Sequence, residues 1–584
     1  MMKKRCFIPF LTLVLLLAGS LLFENTKASG KENTGIENSD ESLSQLIIIF
    51  SEDRGALNRK YNVESSPEYF ERFEQFYSDW SSRLEAIDFD ALPHEEKVDY
   101  KLLQNLINSS AYFLEAERRT FESIRHWLPD VESIMELVNE RRIGLKPDGQ
   151  SVAQSMHNWK LQVEELMQEM RNQEVMLRHE TIALDDALSE LQSGISYIHD
   201  FYMGYDIEYT WWADRAYEAL DEAFEEYRDF VSGNYDASAE QMDESGIVGN
   251  PIGAEEIARR IEFEMISYSA EELIEIAEHQ FAKIEVEMRR ISNALGYGDD
   301  WHAALEHAKQ RAVPVGEKPE LILRLHHESV DFLNEHDLIT IPDLVEETWR
   351  MGMMSPQRQR VNPFFTGGEQ ITISYPTNTM EHDEKLMSMR GNNPHFNRAT
   401  VHHELIPGHH LQGFMTRRYS THRGIFSTPF WGEGWALYWE LLLWDLGFAE
   451  TLEDEIGMLF WRSHRYARII FSLNYHLGNW TPQQSIDYLV ERVGHEYANA
   501  EAEVRRSFAG SYDPMYQVAY MIGGMQFYAL YKDLVDTGIM TAKEYHDIVL
   551  KSGRMPVRMV KSIVTEEELQ RDDIEEWDFA DYIW

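Results

Sequence analysis

The chain has almost no cysteine, little positive charge and few strand-like segments. Its single cysteine, Cys6, lies among the first 28 residues. The rest of the chain therefore has no disulfides and no cysteine nucleophile, and a metal would have to be held by histidine and carboxylate. Lysine and arginine number 54 against 101 aspartates and glutamates, a net charge of -47. Such a surface repels phosphate backbones and anionic lipids, which argues against nucleic-acid binding.

The first residues are typical of an export signal. Residues 1–5 are positively charged, residues 7–23 are apolar, and polar sequence follows. We expect residues 1–28 to be a signal peptide and the protein to be secreted or extracytoplasmic. Retention of this segment as an N-terminal anchor stays open, and no other membrane insertion is expected. Ser20 stands where a lipid-modified cysteine would be needed, so a lipid anchor at this site is excluded.

The remaining sequence predicts a mainly α protein, because apolar residues recur at three- and four-residue spacing. We expect a flexible linker at 29–45, an N-terminal helical region at 46–340, and a metal-binding catalytic region at 341–584, integrated with the helical region into one unit. Only residues 370–375 have clear strand character. The chain has no strand–helix alternation, phosphate loop or Gly-x-Ser-x-Gly motif, which argues against a TIM barrel, a Rossmann fold and a serine hydrolase.

The segment with the most candidate catalytic and metal-binding residues begins at His403-Glu404. It starts like the helical His-Glu-x-x-His zinc motif, in which both histidines share one helix face and the glutamate reaches the bound water. Pro407 occupies the position of the second histidine, and the next histidines are His409 and His410. The proline interrupts the helix and the glycine after it permits a turn. We expect a kink that brings His409 to the metal, with His410 as the alternative second ligand.

A second apolar helix is expected to supply the third ligand. Glu433 and Glu440 lie seven residues apart, on one face of an otherwise apolar segment. A carboxylate is costly to bury unless it is paired or bound to a metal, so Glu433 is the expected ligand. Glu440 and His410 are expected to orient the ligands from outside the coordination sphere. A helix N-terminal acid stabilised by the helix dipole is the alternative for Glu433.

Three protein ligands, a position for water and a nearby carboxylate define a zinc hydrolase site. Zn2+ held by His403, His409 and Glu433 would lower the pKa of a water molecule. Glu404 would take the proton of that water and later deliver it to the leaving amine. The sequence therefore predicts hydrolysis by an activated water.

The single strand-like segment suggests a place for the substrate. Residues 371–375 are expected to offer a strand edge that pairs with an extended peptide. Tyr375 and Asn378 are the expected substrate contacts.

The two motifs resemble those of the bacterial family DUF885. They are His403-Glu404-x-x-Pro407-Gly408-His409-His410-x-Gln412 and Glu433-Gly434-Trp435-Ala436-Leu437-Tyr438-x-Glu440. The resemblance covers roughly residue 46 to the C-terminus and extends to residues 98–103, 474–481 and 520–523. It implies a large, often secreted or lipid-anchored, zincin-like metallopeptidase fold with a small β element beside the active-site cleft.

The resemblance also implies roles near the C-terminus. His476 and Tyr520 fall in the family's C-terminal signatures and are the expected donors to the oxyanion of the reaction. The chain departs from the family at Asn474, where aspartate is common, and at residues 514–516, where Pro-Gly-Gln is common. These departures concern the part of the site that would stabilise the transition state.

The sequence thus predicts a secreted zinc metallopeptidase. Two other functions stay open: a zinc hydrolase of non-peptide amides, and a non-catalytic helical binding protein with a structural or lost metal site. Glu404 argues against the second, because a structural site needs no base. A peptide or amide is the expected partner, and no particular oligomeric state is predicted.

Overall fold

The computed structural model describes residues 41–172, 176–234, 243–314, 316–361, 364–510, 512–572 and 575–582. The expected signal peptide and most of the expected linker lie outside these residues. The structure is 73% helix and 2% strand, which confirms the prediction of a mainly α protein. No helix among the described residues is both long enough and apolar enough to cross a membrane.

The described residues form 23 α-helices and one two-stranded sheet. The helices up to residue 335 are α1 (Leu43–Lys60), α2 (Pro67–Glu85), α3 (His94–Ile124), α4 (Val131–Arg142), α5 (Gly149–Arg171), α6 (Arg178–Tyr202), α7 (Ile207–Gly233), α8 (Gly253–Phe263), α9 (Ala270–Leu295), α10 (Trp301–Lys309) and α11 (Lys318–Glu335). The later helices are α12 (Asp343–Thr348), α13 (Pro356–Val361), α14 (His382–Gly391), α15 (Pro394–Glu404), α16 (His409–Thr416), α17 (Pro429–Asp445), α18 (Leu452–His476), α19 (Pro482–Tyr488), α20 (Tyr497–Phe508), α21 (Tyr516–Tyr531), α22 (Ala542–Ser552) and α23 (Val557–Thr565). The strands are β1 (Arg350–Met353) and β2 (Gln370–Ile373).

Helix α1 begins inside the segment predicted to be a linker. The Ser42 side chain accepts a hydrogen bond from the backbone N–H of Gln45 and caps the helix. Leu43 and Leu46 are buried directly after this cap. The predicted linker of residues 29–45 is therefore too long at its C-terminal end. Residues 42–584 form one compact unit.

The predicted strand is present but shorter than expected. β2 ends at Ile373, and it pairs in parallel with β1, which the sequence did not predict. Beyond β2, the backbone N–H of Tyr375 donates to the side-chain oxygen of Gln359, 3.0 Å away, and not to a neighbouring strand. This side-chain contact accounts for the early end of the strand.

The core beside the candidate site is built on α17. Trp431, Trp435 and Trp439 follow one another at four-residue spacing and are fully buried. Helices α17 and α21 cross closely at two glycines, where a Cβ atom on Gly434 would lie 2.6 Å from Cα of Gly523. Only glycine allows this approach. The close crossing brings the first turns of α17 beside the beginning of α21.

Candidate metal centre

The helix that carries the histidine motif is broken. α15 ends at Glu404 and α16 begins at His409, so the expected kink is a full break between two helices. The backbone N–H of Gly408 donates to the carbonyl of His402, 2.9 Å away. A Cβ atom on Gly408 would overlap the carbonyl oxygen of His403, and the Ile406–Pro407 peptide bond is cis. The tight turn therefore requires glycine at this position.

Further hydrogen bonds hold the loop between α15 and α16. Trp435 on α17 donates its indole N–H to the carbonyl of Pro407, 2.9 Å away. Ser329 on α11 donates to the carbonyl of Ile406 at 2.8 Å. Within the loop, the N–H of His410 donates to the carbonyl of Leu405 at 3.0 Å. The loop is thus attached to α11 and α17.

The break brings three of the predicted ligands together. Nε2 of His409 lies 3.2 Å from Oε2 of Glu433, and Nε2 of His403 lies 3.5 Å from the same oxygen. One ligand atom from each of the three residues lies within 4.8 Å of the other two. In a tetrahedral zinc site with bonds near 2.0–2.1 Å, ligand atoms stand about 3.3 Å apart. The donor set and its spacing therefore fit a zinc ion.

Two further side chains orient these ligands. Oε1 of Glu440 lies 2.7 Å from Nδ1 of His403, the ring nitrogen that does not face Glu433. Arg465 donates to the same Glu440 oxygen at 2.9 Å. Burial alone would raise the pKa of Glu440, but Arg465 and His403 lower it to about 2. Tyr516 donates its hydroxyl to Oε1 of Glu433. Glu440 thus contacts His403, and its predicted role in orienting a metal ligand stays a prediction.

The candidate ligands change one another's pKa. Burial alone would lower the pKa of His409, but Glu433 raises it to about 9. Burial would raise the pKa of Glu433, but His409 and His403 lower it well below its usual range. Glu433 is therefore a carboxylate that accepts hydrogen bonds from Tyr516 and His409 and lies 3.5 Å from Nε2 of His403. It lies in the second turn of α17, beyond the N-terminal positions at which a helix dipole alone would favour an acid.

His410 faces away from this group. Its Nε2 donates to the carbonyl of Val345, 2.7 Å away, and its side chain is buried there. Successive residues of a helix point about 100° apart, so the turn that directs His409 to Glu433 directs His410 elsewhere. The prediction that His410 is a second ligand or orients one is therefore wrong.

Glu404 stands at the edge of the group, on the wall of a cavity of about 250 Å3 that His403, His409 and Glu433 also line. Gly367 packs directly against it, since a Cβ atom on Gly367 would overlap Oε2 of Glu404. Burial raises the pKa of Glu404, which the two nearby histidines partly offset. A carboxylate beside the candidate ligands is placed to exchange protons with a water molecule in the cavity.

Of the two predicted oxyanion donors, one lines the cavity. The ring of Tyr520 lies 6.2 Å from that of His403, nearly parallel to it. His476 does not line the cavity and instead lies against the ring of Phe508. It follows Arg468, a cavity residue on the same helix, by eight positions, which is about 12 Å along the axis. The predicted catalytic role of His476 is therefore corrected.

The predicted substrate contacts also lie away from the cavity. The Tyr375 hydroxyl accepts a hydrogen bond from the N–H of Gly316 at 3.1 Å, and Asn378 is exposed in a turn. The strand edge expected to bind a peptide is partly paired, because Thr372 exchanges two backbone hydrogen bonds with Thr366. Tyr375, Asn378 and the strand edge at 371–375 therefore do not line this cavity, contrary to the prediction that they contact the substrate.

Several cavity residues were missed by the sequence interpretation. They are Arg465 and Arg468 on α18, Arg506 on α20, Tyr512 just before α21, and Tyr516 at the start of α21. Two signals were available. Arg465 and Arg468 lie three residues apart in a largely apolar part of α18, and the tyrosines precede Tyr520 at four-residue spacing. Both patterns place polar groups on one face of a buried helix.

Two solved structures share the fold. One, from Shewanella oneidensis, is provisionally described as a lipoprotein of unknown function; it has a TM-score of 0.65 and 18% identity, over 90% of this chain and 100% of that chain. The other, from Colwellia psychrerythraea and provisionally described as a lipoprotein, has a TM-score of 0.54 and 16% identity, over 90% of this chain and 99% of that chain.

No curated protein matches the chain. The model of a family described as "Bacterial protein of unknown function (DUF885)" matches residues 53–564, which is nearly the whole sequence. The chain therefore belongs to the DUF885 family.

Proposed function

We propose that the protein is an extracytoplasmic zinc metallopeptidase. The observation that carries the proposal is the approach of His403 and His409 to one oxygen of Glu433, with Glu404 on the same cavity wall. The donor set contains two imidazoles and one carboxylate, which is the combination found in many zinc hydrolases. A purely structural site has no need of the additional carboxylate.

A zinc ion held by His403, His409 and Glu433 would lower the pKa of a water molecule and polarise a substrate carbonyl. Glu404 accepts the proton of the attacking water and then donates it to the nitrogen of the leaving amine. Tyr520, whose ring lies beside His403, donates a hydrogen bond to the oxyanion that forms on the carbonyl.

The remaining side chains hold this arrangement. Oε1 of Glu440 lies 2.7 Å from Nδ1 of His403, and this contact directs Nε2 toward the metal position. Tyr516 holds one oxygen of Glu433 and leaves the other to face the histidines. Ligands whose side chains are fixed in advance lose little entropy when the metal binds.

The proposal extends to the fold and to the location of the protein. Helix α15 supplies His403, the start of α16 supplies His409 and α17 supplies Glu433, which is the arrangement of a zincin-like site with its first helix broken at Pro407. An extracytoplasmic location is supported by the signal-like first 28 residues and by the description of two proteins of this fold as lipoproteins.

The proposal is tested by peptide hydrolysis with Glu404→Gln. The purified zinc-loaded protein and the variant are incubated with a mixed peptide library and with non-peptide amides, and products are identified by mass spectrometry. We expect peptide cleavage by the wild type, and loss of at least about 100-fold in rate with zinc retained in the variant. Glu455→Gln, a change on α18 at a partly exposed residue that pairs with Arg290, should leave the rate unchanged.

Three outcomes would contradict the proposal. Cleavage of amides but of no peptide would assign the site to a non-peptide amidase. Bound zinc without any hydrolysis would indicate a binding protein. Full activity of Glu404→Gln would remove the proposed base.

A further inference from the structure

One wall of the cavity carries an arginine pair, Arg468 on α18 and Arg506 on α20. Both guanidinium groups bind the same carboxylate: Nε of Arg468 lies 2.8 Å from Oε1 of Glu503, and Nη2 of Arg506 lies 2.5 Å from Oε2. Glu503 is 1% exposed. One buried carboxylate thus faces two permanent positive charges, which leaves the pair with an excess of positive charge.

The arginine pair also has unused hydrogen-bond donors. Nη1 of Arg468 and Nε of Arg506 are buried and have no hydrogen-bond partner among the described residues. Arg468 as a whole is only 2% exposed. Arg465, on the same wall, is already bound to Glu440 and contributes no comparable excess. A buried guanidinium with unmade hydrogen bonds is costly, and an anion in the cavity would remove that cost.

The arginine pair lies close to the candidate metal ligands. The ring of Tyr520 lies near both, 6.2 Å from the His403 ring and 4.2 Å from the guanidinium carbon of Arg468. The guanidinium is therefore no more than roughly 10 Å from the His403 ring, a distance that an extended chain covers in about three residues. An anion bound by the pair would belong to the part of the substrate next to the scissile bond.

We propose that the arginine pair binds the C-terminal carboxylate of a peptide, so that the enzyme is a carboxypeptidase that releases one to three residues. The proposal rests on the proposed peptidase function and names its substrate class. Guanidinium groups match the planar carboxylate with paired, charge-assisted hydrogen bonds. A main-chain carboxylate is present at the end of every peptide, whereas an acidic side chain would restrict the substrate to particular sequences.

The test compares an N-acetylated tripeptide that has a free C-terminal carboxylate with the same peptide as its C-terminal amide. kcat/KM is measured with the zinc-loaded full chain, and Kd is measured by calorimetry with the zinc-loaded Glu404→Gln protein, which reports binding without turnover. A third peptide ends in a glutamate amide and carries its only carboxylate on the side chain. We expect the free acid to be favoured over both amides roughly ten- to hundredfold.

Two variants assign the preference to the arginine pair. Arg506→Gln should reduce the acid-to-amide ratio to near one, because it removes the excess charge while Arg468 continues to balance the buried Glu503. The matched control is Arg505→Gln, the adjacent residue, which pairs with Glu501 at the surface and should leave the ratio unchanged. Circular dichroism and zinc content check that each variant is folded.

The outcomes separate this proposal from the peptidase proposal. Equal use of acid and amide, a ratio that persists in Arg506→Gln, or equal use of the glutamate amide would overturn the carboxylate site while peptidase activity stands. Selective binding of the free acid that depends on Arg506, without any cleavage, would support the carboxylate site and contradict the peptidase.

Discussion

Oε1 of Glu440 lies 2.7 Å from Nδ1 of His403, while Nε2 of the same ring faces Oε2 of Glu433 at 3.5 Å. The imidazole is therefore held between two carboxylates on α17, spaced seven residues apart. Such a contact selects the tautomer that leaves Nε2 free to bind a metal and makes that nitrogen a better ligand. Because of this contact, we expect a change at Glu440 to lower the metal affinity although Glu440 does not contact the metal position.

Glu440→Gln is expected to weaken zinc binding about 10- to 100-fold, because the amide is a poorer acceptor for the imidazole N–H and leaves Arg465 without its counter-ion. The measurement is a zinc titration in competition with a chromogenic chelator. Glu450→Gln, an exposed change, is the control. Unchanged zinc affinity in Glu440→Gln would show that the contact does not orient His403.

The two tyrosines of α21 are expected to differ in their effects. Tyr516→Phe removes the hydrogen bond to Glu433 and should lower zinc affinity by roughly tenfold. Tyr520→Phe should leave zinc affinity unchanged and lower kcat by about 10- to 1000-fold, because it removes a donor to the oxyanion. Zinc titration and steady-state kinetics on the same preparations check both. Equal effects of the two changes on both quantities would contradict this division of roles.

Gly408→Ala should lower the free energy of unfolding by more than about 2 kcal/mol, since the added methyl group would overlap the carbonyl oxygen of His403. Urea unfolding monitored by circular dichroism measures the change. Gly432→Ala is the control: it lies in α17, nothing lies within 4 Å of the added atom, and alanine is the better helix former. A stable Gly408→Ala protein would show that the loop between α15 and α16 does not need its tight turn.

Stability should fall with rising pH because of Glu264. Its carboxylate accepts a hydrogen bond at 2.6 Å from Thr428, the residue that caps α17. Burial raises its pKa from 4.5 to about 8. Between these two values the folded protein holds a proton that the unfolded chain has lost, so this contribution to stability is complete below about pH 4.5 and lost as the pH rises through 8.

Glu264→Gln should therefore raise the free energy of unfolding at pH 9 by at least about 1 kcal/mol and change it little at pH 5. Unfolding curves of wild type and variant at the two pH values provide the measurement. Glu262→Gln, an exposed change two residues earlier, is the control. An equal effect of Glu264→Gln at both pH values would mean that Glu264 is ionised in the folded protein throughout.

Residue type and local spacing were sufficient to predict that His403, His409 and Glu433 lie close together. His403, His409 and Glu433 could be grouped because their chemistry is specialised and because Pro407 makes a break in the helix necessary. Their order along the chain also indicated that they lie close together, because two helices that are close in sequence pack directly on each other. The mainly α fold could be predicted from the spacing of apolar residues, which is also a local property of the sequence.

The walls of the cavity depend on contacts between distant segments, and here local spacing was a poor guide. Nothing in the sequence near His476 or Tyr375 shows that the first lies two helical turns past the cavity and that the second bonds to the loop at Gly316. Arg506 reaches the cavity only because Glu503, three residues earlier, bridges α20 to α18. Such tertiary relationships are invisible to helix periodicity.

The central claim is that one zinc ion is held by His403, His409 and Glu433. A crystal of the zinc-loaded protein measured on both sides of the zinc absorption edge tests it directly. We expect one anomalous peak per chain, about 2.0–2.2 Å from Nε2 of His403, Nε2 of His409 and Oε2 of Glu433. The absence of a peak there, or a peak bound by other residues such as His410, would contradict it.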